Sequence, residues 1–217
     1  MQHTVTTLEV KAQNQPETEL ESRSVRVGLL GGTFNPPHLG HLVIGEQVAR
    51  QLELEKVYFM PNAIPPHVDH KEAIAAVDRV KMVQAAIQGN SLFDFELAEV
   101  ERGGISYAYD TLLTLVQKHP NYEYYFIIGA DEVAYLPTWH RIDELMQLTH
   151  FVGVNRPGVS APKSEFPIQF VTVPDLDISS TDLRQKIAHH ESVRYLVPDL
   201  VAAYIFEKGL YQDDDRN

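Results

Sequence analysis

Val25-Arg26-Val27-Gly28-Leu29-Leu30-Gly31-Gly32-Thr33-Phe34-Asn35-Pro36-Pro37-His38-Leu39-Gly40-His41 is the stretch that sets the fold. Its first six residues form a short apolar run, the mark of a buried parallel strand. Gly31 and Gly32 end the run. Beyond them Leu39, Leu42, Val43, Val48 and Leu52 recur at the spacing of one helix face. Strand, glycine turn and helix start together make an anion-binding device. Glycine lets the backbone come close to a phosphate. The helix N-terminus supplies free N–H groups and the positive end of a dipole. Pro36 and Pro37 fix φ at two positions and delay the helix. His38 and His41 stand three apart at its entrance, so both imidazoles share a face toward the space the glycines open.

Downstream the chain alternates. Strands are predicted over 56–60, 92–100, 123–128, 151–154 and 168–173. Helices are predicted over 75–87, 107–119, 142–148, 180–189 and 198–207, the last stopped by Gly209. Val77, Val80, Met82, Val83 and Ile87 are the apolar positions of the first of these, and Val201, Tyr204, Ile205, Phe206 and Leu210 form a packing face in the last. Strands alternating with helices imply an α/β fold: a Rossmann-like, doubly wound parallel sheet in a single domain, with right-handed crossovers. Ligands of such sheets sit beyond the carboxyl ends of the strands. Residues 1–24 lack hydrophobic periodicity and are rich in Gln, Glu, Thr and Ser, so they read as a disordered or weakly docked extension. The domain spans 25–211, and 212–217 is an acidic tail.

Two more segments carry chemistry. In Ile178-Ser179-Ser180-Thr181-Asp182-Leu183-Arg184, Ser179 and Asp182 alone make an ordinary capping box. Arg184 follows Ser180 and Thr181 at helical spacing and can lean back toward the helix start. Hydroxyls, free N–H groups and a guanidinium then converge, which suits a polyphosphate. In Phe126-Ile127-Ile128-Gly129-Ala130-Asp131, a strand ends in Gly129 and places Asp131 where a ribose or adenine could meet it; alone, the same residues read as a plain helix start. Trp139, among Pro137, Thr138, His140 and Arg141, is predicted at the surface. His67, His70 and Asp78 lack the spacing of a metal site, and His189-His190 reads as a solvated helix end.

Composition narrows the classes. The chain has 217 residues, 44% of them hydrophobic, enough for one large core. It has no cysteine, so no disulfide framework, thiolate metal site or cysteine nucleophile. No apolar run approaches the roughly 18 residues of a membrane span, and the polar start lacks a signal-peptide core, so a cytoplasmic enzyme is the default expectation. A formal charge of −12 argues against nucleic-acid binding. An anionic substrate must therefore be met by local positive groups or by magnesium.

GGTFNPPHLGHL carries the HxGH signature of a nucleotidyltransferase superfamily, and the chain resembles its nicotinate-nucleotide adenylyltransferases more closely. FMPNAIPPH, ISYAYDTL, FIIGADEVAYLPTWHRIDEL, FVGVNRPG and ISSTDLRQKI carry that resemblance, in order along nearly the whole of 25–211. It implies transfer of AMP from ATP to nicotinate mononucleotide, with release of pyrophosphate, in NAD biosynthesis. ATP and nicotinate mononucleotide would be the partners, and Mg2+ would be carried by the ATP phosphates rather than by a protein metal site.

The resemblance also implies roles. His38, His41 and Arg184 would be the catalytic residues. Gly31, Gly32, Thr33, Phe34, Gly40, Gly129, Asp131, Ile178, Ser179, Ser180 and Thr181 would bind ATP. Tyr107, Ala108, Tyr135, Trp139 and Arg156 would bind the acceptor, Trp139 by stacking on the nicotinate ring. The chain departs from the family pattern where Ala108 replaces a threonine and Val68 a lysine, so that one basic group is absent or replaced by Lys71. A different phosphate acceptor, such as a pantetheine phosphate, is the alternative within the superfamily. A silent nucleotide-binding regulator is the alternative outside it. The sequence leaves the oligomeric state open.

Overall fold

The computed structural model describes residues 24–65 and 73–212. Its frame is a six-stranded sheet in the order β3-β2-β1-β4-β5-β6. The strands are β1 (Val25–Gly32), β2 (Lys56–Pro61), β3 (Phe93–Phe95), β4 (Tyr122–Gly129), β5 (His150–Asn155) and β6 (Ile168–Thr172). Every pairing between them is parallel. The helices are α1 (Leu39–Gln51), α2 (Ala76–Ile87), α3 (Ala98–Arg102), α4 (Ala108–Lys118), α5 (Ile142–Leu145), α6 (Ser180–Ala188) and α7 (Asp199–Lys208), with a 3₁₀ segment over Glu132–Thr138. This is the Rossmann-like α/β architecture that the alternation predicts.

The central strands are covered on both faces, which is why they read as continuous apolar runs. Leu29, Phe126 and Phe151 lie side by side in register and feed one layer, with Leu112 and Leu115 of α4, Leu136 and Leu145. Their neighbours Leu30, Ile127 and Val152 feed the opposite layer, with Val48 and Ala49 of α1 and Val83 of α2. A third cluster joins α2, α6 and α7 through Met82, Ala86, Leu183, Ile187, Val201 and Ile205. The strand order reverses between β1 and β4. The loop after β1 and the turn after β4 therefore flank the switch point, where the carboxyl ends open a crevice.

Several sequence expectations change. The strand predicted over 92–100 stops at Phe95; the Glu96 carboxylate accepts the Ala98 N–H and starts α3. The helix predicted over 142–148 is regular only to Leu145, and Gln147 and Leu148 bond three residues back instead of four. Val77 is 59% exposed and Phe206 56% exposed, so neither belongs to a packing face. On α1 the fully buried stripe is Gly40, Gly45, Val48 and Ala49, with Leu39, Leu42 and Val43 only half-buried. Gly45 explains the shift: a Cβ there would meet the Phe59 and Phe93 rings at 3.2 Å, so the helix backbone rests on the sheet. His67, Val68, His70 and Lys71, and nearly all of the 1–24 extension and the acidic tail, lie outside the described residues.

Candidate active site

The loop from Gly31 to His38 leaves the carboxyl end of β1. Phe34 adopts φ +50°, a left-handed conformation that costs a bulky residue about 1–2 kcal/mol. Its ring is 2% exposed, and burial of that size returns about 1.5–3 kcal/mol, enough to offset the strain. Gly32 makes room for it: a Cβ there would stand 3.2 Å from the Phe34 ring. Phe34 also meets the His41 ring edge-on at 5.0 Å between centroids.

His38 and His41 come together as their spacing predicts, with ring centroids 3.8 Å apart. The His38 backbone N–H donates to His41 Nδ1 at 3.2 Å. That bond leaves Nδ1 unprotonated, so the proton of the neutral ring sits on Nε2 and can be donated outward. The Nδ1 of His38 is buried without a hydrogen-bond partner among the described residues. Gly40 lies under that ring, where a Cβ would meet its atoms at 3.0 Å. Burial pushes the His38 imidazole down to about 4. Burial, then the neighbouring His38, holds His41 well below its ordinary value. Both rings are neutral donors near pH 7.

The start of α6 is fastened to this loop. Ser180 Oγ donates to the Pro36 carbonyl at 2.8 Å, and Arg184 Nη1 to the Asn35 carbonyl at 3.0 Å. Arg184 Nη2 lies 3.4 Å from Thr181 Oγ1, so the guanidinium leans back to the helix start as predicted. Ser179 caps the helix, its Oγ accepting the Asp182 N–H at 3.1 Å. Tyr211 closes the loop from behind, its hydroxyl 2.7 Å from Asn35 Oδ1.

A cavity of about 280 Å³ opens beside the loop at the switch point. Gly31, Gly32 and Thr33 form its loop side; Ser106, Tyr107 and Ala108, at the start of α4, form the opposite wall. Trp139 lines it too. It is half-buried instead of at the surface, wedged edge-on to Phe126 at 5.8 Å and Phe151 at 5.9 Å, and its Nε1 is buried without a hydrogen-bond partner among the described residues. Glu99, 4% exposed, borders the cavity. Burial raises its carboxyl, while hydrogen bonds from Ser106 and Thr111 and the nearby Arg102 pull it back. No lysine or arginine is among the lining residues described. Nor do the described residues include three or more His, Cys, Asp or Glu placed to hold a metal ion.

The structure thus gathers His38, His41, Ser180 and Arg184 around one loop, and Gly31, Gly32, Thr33, Tyr107, Ala108 and Trp139 around one cavity. Gly129 ends β4 and Asp131 follows it, and Ile178 precedes the α6 cap. Two predicted acceptor residues stand apart. Tyr135 is 61% exposed, and Arg156 pairs with Asp175 at 3.4 Å; neither lines the cavity. Sequence reading missed Asn62, Arg79, Glu99 and Ser106. Arg79 left one signal: it occupies the buried stripe of α2 with Met82, Val83 and Ala86, where a charge is out of place.

The sequence and the fold are similar to those of known proteins. Residues 29–186 match the cytidylyltransferase-like family. A Lactiplantibacillus plantarum relative, named "Probable nicotinate-nucleotide adenylyltransferase", is 55% identical over 208 residues, covering 93% of this chain and 98% of its own. An Enterococcus faecalis relative of the same name is 52% identical over 189 residues, covering 87% and 86%. Plasmodium falciparum nicotinic acid mononucleotide adenylyltransferase, solved in complex with NaAD, shares the fold at a TM-score of 0.71 and 19% identity, over 86% of this chain and 97% of that one. At such identity and coverage in the bacterial relatives, the chain belongs to the nicotinate-nucleotide adenylyltransferase family.

Proposed function

We propose that this protein transfers AMP from ATP to nicotinate mononucleotide, giving nicotinate adenine dinucleotide and pyrophosphate. The observation that carries the reading is the single crevice in which the paired histidines and Arg184 stand beside a cavity with an aromatic floor. An oxygen of the acceptor 5′-phosphate attacks the α-phosphorus of ATP. The bond from that phosphorus to the bridging oxygen breaks, and the electron pair leaves with pyrophosphate. The acceptor is already an anion, so no general base is needed. Alignment and charge stabilisation supply the catalysis.

In this reading His41 Nε2–H and His38 donate to phosphate oxygens as charge moves to the leaving group. Arg184 and the α6 start hold the β- and γ-phosphates, and the Gly32–Phe34 backbone adds donors. Mg2+ carried by the ATP phosphates would supply charge neutralisation there. The pyridine ring stacks on Trp139. Its carboxylate meets the orphan N–H groups and positive dipole end of α4 at Ala108 and Tyr109; no cationic side chain is required. This also explains how Ala108 can stand in for threonine, since the backbone donor remains. Tyr135 and Arg156 are not assigned to the acceptor. We place the reaction in the cytoplasm, where ATP is supplied.

The test is pyrophosphate release from ATP with a panel of acceptors: nicotinate mononucleotide, nicotinamide mononucleotide and phosphopantetheine. Rapid turnover with the first, and a dinucleotide of the right mass, is expected. Turnover only with phosphopantetheine would move the chain to another acceptor class, and no turnover with any would leave a nucleotide-binding regulator.

A further inference from the structure

Arg79 is 1% exposed, yet it carries a full charge. Its Nη1 donates to the Thr33 carbonyl at 2.9 Å and to Asn62 Oδ1 at 3.4 Å. Nη2 donates to the Ala63 carbonyl at 3.1 Å, and Nε to the Ile74 carbonyl at 3.2 Å. All four partners are neutral oxygens. Among the described residues no carboxylate stands beside it; a desolvated guanidinium held by neutral oxygens is costly, and a packed apolar side chain would serve stability as well or better. Such a cost is typical of sites that must hold one geometry.

What Arg79 holds is the loop after β1. The Thr33–Phe34 peptide is trans, so its C=O and N–H point in opposite directions. With the carbonyl drawn to Arg79, the Phe34 N–H is turned to the other side. Among the described residues that N–H has no hydrogen-bond partner. Arg184 grips the carbonyl two residues on, of Asn35, from a different helix. Two guanidiniums, one on α2 and one on α6, therefore fix the carbonyls on either side of Phe34.

We infer that Arg79 is a positioning residue for the nucleotide: by holding the Thr33 carbonyl it aims the Phe34 N–H at the phosphates of bound ATP. This rests on the adenylyl-transfer reading above. It gives a residue remote from the substrate a measurable effect on one substrate and not the other.

Arg79→Met and Arg79→Lys separate positioning from folding. The methionine variant keeps the apolar stem and loses the grip; the lysine variant keeps the charge and at most part of the grip. With both assayed well below their melting temperatures, Arg79→Met should lose about tenfold or more in kcat/KM for ATP, the scale of one charge-assisted hydrogen bond. Its KM for the acceptor mononucleotide should stay within about threefold, and Arg79→Lys should recover part of the loss. Calorimetric affinity for inorganic pyrophosphate should fall in the same order. A merely structural Arg79 would lower the melting temperature and leave kcat/KM for ATP and pyrophosphate affinity unchanged, which overturns the inference. If Arg79→Met does not fold, Arg79→Lys decides alone: wild-type kcat/KM for ATP overturns the inference, and a selective loss upholds it. A wild-type protein inactive with every acceptor would sink the adenylyl-transfer reading, whereas pyrophosphate affinity would still report on Arg79.

Discussion

In the proposed reading, the nucleotide side and the acceptor side of the crevice are built in different ways. The nucleotide side is one continuous loop and helix start, Gly31 to His41, fastened by Arg184 from α6 and by Arg79 from α2. Its backbone is constrained almost residue by residue: a glycine under Phe34, two prolines, a glycine under His38. The acceptor side is gathered from the ends of β2 and β4, from α3 and α4, and from the stretch around Trp139 and His140. Its lining includes the Trp139 indole, which also packs edge-on against Phe126 and Phe151. The proposed phosphate chemistry thus rests on a rigid local string, and the proposed acceptor contacts on a cavity assembled from distant segments.

That contrast can be broken by substitution. His41→Ala removes a donor that acts on charge developing in the transition state. We expect kcat to fall by about 10²–10³, the scale of one lost oxyanion-type donor, with acceptor KM changed little. A tenfold loss of ATP affinity at unchanged kcat would make His41 a ground-state ligand only. Trp139→Leu keeps apolar bulk against Phe126 and Phe151 but removes the flat surface. Acceptor KM should rise about tenfold, within the range for one lost stacking contact, while KM for ATP stays within about twofold. Equal shifts for both substrates would dissolve the division between the two sides.

Protonation sharpens the comparison further, because both paired histidines are on the nucleotide side. In the folded protein His38 titrates at about 4 against an ordinary 6.5, and His41 is also depressed. The unfolded chain therefore binds more protons as pH falls from about 6.5 toward 4, and stability should decline through that window. A bound polyphosphate favours the charged imidazoles and raises both values. Pyrophosphate binding at pH 6 should take up protons, read from calorimetry in buffers of different ionisation enthalpy; no uptake, or release, would contradict the neutral pair. The smallest effect is expected from removing residues 1–23, which the sequence gives no apolar periodicity. Melting temperature should move by less than about 2 °C, and turnover should be unchanged.

How much was legible follows the same division. Gly31 to His41 and Ser179 to Arg184 could be read directly, because spacing along one loop or one helix turn determines which atoms meet. The α/β alternation could be read for the same reason. The acceptor cavity could not. Glu99 sits in a segment read as a strand, and only the Glu96 bond to Ala98 turns that segment into α3. Trp139 looks exposed among polar neighbours, and only the tertiary approach of Phe126 and Phe151 buries it. Arg79 is passed over in the sequence, because its role depends on three separate loops that bring carbonyls to it.

The most direct test of the acceptor assignment is kcat/KM of the wild-type enzyme for nicotinate against nicotinamide mononucleotide. Backbone donors at the start of α4 suit a carboxylate and leave one of them facing the NH₂ of an amide, donor against donor. An unpaired buried donor costs a few kcal/mol, so a preference for the acid of at least about 10²-fold is expected. Equal efficiency with the two acceptors would contradict it.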